Sequence, residues 1–140
     1  MPFQEKSAWI MSVALLLGGA FYVSVVSEMS SPQEGLAPPV IPVVAIYTVI
    51  LVVVAVAGHI VAAVAGPKEA NAPEDERDSK IRHMAGYFSR YLVGGGAILA
   101  LGVYLLSYDG NLLFHAVFAS LMISQISEYA IQIYLYRSAV

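Results

Sequence analysis

The sequence predicts an all-α integral membrane protein, a four-transmembrane-helix bundle with both termini on the cytoplasmic side. Three observations carry that expectation. Of 140 residues, 59% are apolar and 12% charged, whereas soluble domains average about 25% charge. The apolar residues fall in four stretches of about 20 or more, the length a helix needs to cross the hydrocarbon core. Six of the seven Lys and Arg residues flank those stretches on one side, and basic flanks mark the cytoplasmic face.

The first span, 7–27, carries no charge. It exceeds the roughly 7–15 apolar residues of a signal-peptide core, so it reads as a retained helix. The second, 42–66, follows Pro38, Pro39 and Pro42 and stops at Gly66-Pro67. Proline suits a first helical turn and ends a helix it follows, which sets both bounds. The third, 84–107, contains Arg90, and the fourth, 112–136, contains His115 and Glu128. Lys6 precedes the first span, Lys68, Arg77, Lys80 and Arg82 lie in the cytoplasmic loop 67–83, and Arg137 follows the last span. The loops Glu28–Val40 and Tyr108–Asn111 hold no basic residue. The chain thus forms one membrane domain.

The loop 67–83 holds most of the charge. Glu74, Asp75, Glu76 and Asp78 lead, and Lys80 and Arg82 follow. Acid first and base later suits the helix dipole, and Glu76–Lys80 and Asp78–Arg82 have the i,i+4 spacing of favourable pairs. The run reads as one or two solvated turns opening the third helix. It offers oxygen ligands but no defined metal spacing.

Charge inside the spans is different, because each such group at a helix centre costs about 2.5–3.5 kcal/mol on insertion scales. His59, Arg90 and Glu128 stand on three helices at similar depth, roughly 10 Å from the cytoplasmic ends at the α-helical rise. Small residues mark where membrane helices approach. Ala55, Ala62, Ala63 and Gly66 share the face of His59; Gly86, Gly94 and Ala97 share that of Arg90; Ala116, Ser120, Ser124 and Gln132 share that of Glu128. The expectation is a buried polar cluster of His59, Arg90 and Glu128, flanked by Gln125, Gln132, Tyr87 and Tyr91. Three roles stay open: an Arg90–Glu128 ion pair fixing helix register, handling of a proton, ion or small ligand, and snorkelling of Arg90 to the headgroups.

Several classes are set aside. There is no cysteine, so no disulfide or thiolate site. The net charge of −3 and the lack of a basic run disfavour nucleic acid. No GxSxG, HExxH, P-loop or dinucleotide fingerprint is present, and an enzyme is not expected. His59 and His115 differ in depth by more than a bis-histidine haem allows, so no cofactor is expected.

The Asp75-Glu76-Arg77-Asp78 run, followed by Ile81, Ala85, Ser89 and a span, resembles a motif of small bacterial four-span inner-membrane proteins whose function is not established. The resemblance implies a bacterial inner membrane and no particular activity. Two functions follow as expectations. In the first, the chain is an accessory or scaffold subunit, in contact with the lipid bilayer and with itself as a homo-oligomer or with another membrane protein. In the second, it is a small transporter or channel unit in which Glu128 and His59 handle a proton or cation.

Overall fold

A computed structural model describes residues 2–31, 35–73 and 75–138. The described residues form five helices: α1 (Phe3–Met29), α2 (Ile41–Ala65), the short α3 (Pro67–Ala70), α4 (Glu76–Ser107) and α5 (Gly110–Ser138). Four of them, α1, α2, α4 and α5, are long and apolar enough to cross a membrane. Pro42 sits in the first turn of α2, and Gly66 caps its end before Pro67. Both bounds follow from proline's fixed φ and missing N–H.

In the stretch 67–83 the acidic run opens the third long helix, as its charge order predicts, and a further short helix precedes it. Pro67–Ala70 forms α3, and α4 begins at Glu76. Asp75 supplies the reason, since its side chain accepts the Asp78 backbone N–H at 2.7 Å and so caps the first turn. Glu76 and Lys80 pair at 2.7 Å one turn on. Glu74 lies outside the described residues.

Tyr108 ends α4 in the left-handed region, with φ 54°. Asp109 then accepts the Asn111 and Leu112 backbone N–H groups at 2.9 and 3.0 Å. This two-residue reversal makes α4 and α5 close antiparallel neighbours.

The long helices are ordered α2–α1–α5–α4 across the molecule. Each packs along its neighbours in that row, while α2 and α4 do not pack along each other. The row curls at the end distant from Lys6, where Tyr47 of α2 meets Phe118 of α5 with ring centres 5.1 Å apart. It remains open between α2 and α4. Burial follows position: 28% and 22% of the most apolar stretches of the inner helices α1 and α5 are buried, against 11% for the outer α2 and α4.

Small residues set the seams, as close packing without a hydrophobic drive requires. A Cβ on Gly58 would lie 2.5 Å from Ile10 Cγ2, fixing α2 against α1. A Cβ on Gly96 would lie 2.4 Å from Ser120 Cβ, fixing α4 against α5. Ile81, Ala85, Ser89 and Ala100 are the buried residues of α4. Ser89 and Ser124 bridge this seam with hydroxyls 2.8 Å apart, each also within reach of the other's carbonyl. With one proton apiece, one hydroxyl donates to the other, which donates to the carbonyl opposite.

Candidate functional site

Polar side chains gather in three places: the end holding both termini, the opposite end, and the flank of α4 around Gly86. At the first end, Lys6 pairs with Glu69 of α3. Glu5, only 8% exposed, lies 3.4 Å from Arg137 of α5, whose guanidinium also stands 5.3 Å from the centre of the Trp9 ring. Arg77 donates to the Tyr136 carbonyl at 3.3 Å, and the Tyr136 hydroxyl donates to Asp78 at 2.7 Å. The Asp-Glu-Arg-Asp run therefore does more than meet water: two of its members hold α4 to the end of α5. The Lys6 ammonium holds the Glu69 carboxyl below the usual carboxylate range, by hydrogen bond and by charge.

At the opposite end His115 ties the α1–α2 connection to the helices. Its Nε2 lies 2.8 Å from the Ala37 carbonyl, and its Nδ1 2.8 Å from the Tyr22 hydroxyl. A carbonyl only accepts, so Nε2 carries the proton. In the neutral ring Nδ1 then accepts from Tyr22. Asn111 likewise donates to the Leu36 carbonyl at 3.1 Å. Beside this relay lies a mainly apolar cavity of about 600 Å³, lined among others by Tyr22, Val26, His115, Ala119 and Met122.

The expected three-helix cluster does not assemble. His59 Nδ1 donates to the Ala55 carbonyl one turn back on its own helix α2 at 2.7 Å, and Nε2 turns to α1, facing the Ser7 hydroxyl at 2.8 Å. Both ring nitrogens are thus satisfied one helix away from Glu128. Arg90 is exposed on α4, with Nε donating to the Gly86 carbonyl at 3.0 Å. Glu128 is half-buried on α5, and its Oε1 lies 3.7 Å from where a Gly86 Cβ would stand. Arg90 and Glu128 thus share the neighbourhood of Gly86, but among the described residues they form no ion pair, and Glu128 has no hydrogen-bond donor.

The flanking residues divide in the same way. Gln125 is exposed and Gln132 half-buried, and neither side chain makes a hydrogen bond among the described residues. Tyr87 and Tyr91 are exposed and bonded to each other at 3.0 Å.

The α4 face was misplaced by one residue. The seam runs through Ser89 and Gly96, whereas Gly94 meets nothing within 4 Å. One residue is about 100° of helix, which turns Arg90 from the seam to the flank.

Sequence reading placed Ser120 and Ser124 on a close-approach face, where both are buried, but missed Glu5, Ser7, Tyr22, the bond between Ser89 and Ser124 and the tethering role of His115. One signal was legible for His115. Pro38 and Pro39 have no N–H, so the carbonyls near them lack local donors and need side chains such as His115 and Asn111. Among the described residues, no three of His, Asp or Glu come together as a metal site. Comparison with protein-family models, curated proteins and solved structures gives no match.

Proposed function

We propose that the chain is an accessory or scaffold subunit of a bacterial inner membrane, acting by lateral association with other membrane-embedded helices. One observation carries the reading: the helix row is open between α2 and α4, so each outer helix leaves much of its circumference to lipid or to a partner. A unit working alone through a central path would be expected to close its helices around that path. Instead the polar groups of the interior are spent on joining helices, in the pairs Ser7–His59 and Ser89–Ser124. The transporter alternative loses force with His59, whose two nitrogens are occupied away from Glu128.

Both termini are assigned to the cytoplasm. Lys6, Lys68, Arg77, Lys80, Arg82 and Arg137 support this through the basic-flank rule. Cysteine placed singly at Asn71 or Tyr108 tests the orientation, since the chain has no other thiol. An impermeant thiol reagent should label the Tyr108 site in intact cells and the Asn71 site after permeabilisation only. Reversal of that pattern refutes the assignment.

The functional reading is tested by extracting the chain in native-membrane discs and measuring its mass. A mass above one chain, made up by copies or by a membrane protein, is expected. A lone chain whose vesicles show pH-dependent ion flux abolished by Glu128→Gln would replace this reading with the transporter.

A further inference from the structure

We infer that the flank of α4 carrying Gly86, Arg90 and Gly94 is a self-association surface, on which Arg90 of one copy pairs with Glu128 of a second copy, and the reverse. The inference rests on the lateral-association reading above and names its partner.

The argument begins with two charges that lack each other. Arg90 uses Nε on the Gly86 carbonyl, and its remaining guanidinium N–H groups have no acceptor among the described residues. Glu128 approaches the same glycine from α5 and has no donor among the described residues. Both stand in stretches apolar enough to cross a membrane, where an uncompensated charge is unfavourable. Among the described residues no other long helix packs along α4 than α5, which leaves this flank open.

The flank is also open to a backbone. Gly94 and Gly95 would meet no atom within 4 Å even with a Cβ. A neighbouring helix can therefore come close to α4 one turn beyond Arg90. Exposed Tyr87 and Tyr91 border the same patch, and tyrosine and arginine are enriched at protein interfaces.

The charges select the occupant. An anionic headgroup suits Arg90, but the Glu128 carboxylate beside Gly86 would repel it. One positive and one negative group form a patch complementary to itself. A two-fold axis along the membrane normal sets Gly94 near its counterpart and lets each Arg90 reach the other copy's Glu128, as an isologous contact requires.

The test uses charge exchange between copies. Gly94→Cys provides a single thiol in a cysteine-free chain, at a position with room for it. Oxidative cross-linking in membranes should give a dimer. Adding Arg90→Glu or Glu128→Arg should each weaken dimerisation about 10- to 100-fold, since two buried polar contacts turn repulsive. Mixing differently tagged Arg90→Glu and Glu128→Arg chains should restore it to within about threefold, because both cross-contacts then join opposite charges. An ion pair inside one chain gives no such recovery, as each variant stays mismatched internally. Should the charge variants misfold, Gly94→Phe keeps the charges, fits the open space and should still abolish the dimer, read as mass in native-membrane discs because position 94 then carries no thiol.

Failure of mixing to favour the mixed pair overturns the surface. So does an unaltered association in Gly94→Phe. If oligomers then persist through another face, lateral association stands without this surface. If the wild-type chain is a lone monomer in native membranes, both fall.

Discussion

Replacing Gly96 by alanine should force α4 and α5 apart. The new Cβ would stand 2.4 Å from Ser120 Cβ and 3.5 Å from its Cα. Carbon atoms rest at about 3.5–4.0 Å, so the helices must separate by about 1 Å. The obstacle is the root of the Ser120 side chain, next to backbone, and no rotamer removes it. Overpacking of this kind costs about 1–3 kcal/mol. The Ser89–Ser124 hydroxyl contact, two turns away at 2.8 Å, would stretch as well, and a hydrogen bond between membrane helices is worth about 0.6–1.7 kcal/mol. The expected loss is therefore about 2–5 kcal/mol. Gly95→Ala is the control: its Cβ meets nothing within 4 Å, and alanine's helix propensity favours it by up to about 1 kcal/mol. Unfolding in a mixed-micelle denaturant titration measures both. Ser120→Gly should rescue Gly96→Ala by removing the clashing carbon. If Gly96→Ala and Gly95→Ala agree within about 0.5 kcal/mol, the close seam does not exist as described.

Gly58→Ala should cost less, about 1 kcal/mol, because it meets the γ-carbons of Ile10, which can yield, and Ile10→Ala should reverse it. Asp75→Ala removes the α4 cap and should cost about 1 kcal/mol, seen as faster hydrogen exchange confined to the first turn of α4. The Glu69 carboxyl, held below its ordinary range by Lys6, favours the folded contact above that range and loses the benefit as pH falls through the depressed value. Amide protection in Pro67–Ala70, taken relative to the intrinsic exchange rate at each pH, should therefore fall on acidification, and Glu69→Gln should show that lowered protection at neutral pH with no further pH step. Tyr22→Phe leaves His115 Nδ1 without its donor and should cost about 1–3 kcal/mol; the ¹⁵N shifts of the ring should show the proton on Nε2.

The four apolar helices were legible because hydrocarbon imposes length and charge limits that a sequence displays directly. Pro42, Gly66 and Pro67 placed the ends of α2 to within a residue. Rotation about each helix was less legible, and α4 shows why. In water a buried face is the apolar one, but here Leu92, Ile98 and Leu101 are exposed while Ser89 and Ala85 are buried. Small residues are then the only guide to the seam, and Gly94, Gly95 and Gly96 lie about 100° apart. Together they reach round most of the helix, so a glycine supports almost any assignment. The neighbour settles the choice: Ser120 presses on Gly96, and Gly94 is left open. The same rotation decides what Arg90 is for. Inside the seam it would be an internal lock with Glu128. On the flank, with its guanidinium turned back toward Gly86 and Glu128 near the same glycine, it is available for the contact with a second copy proposed above.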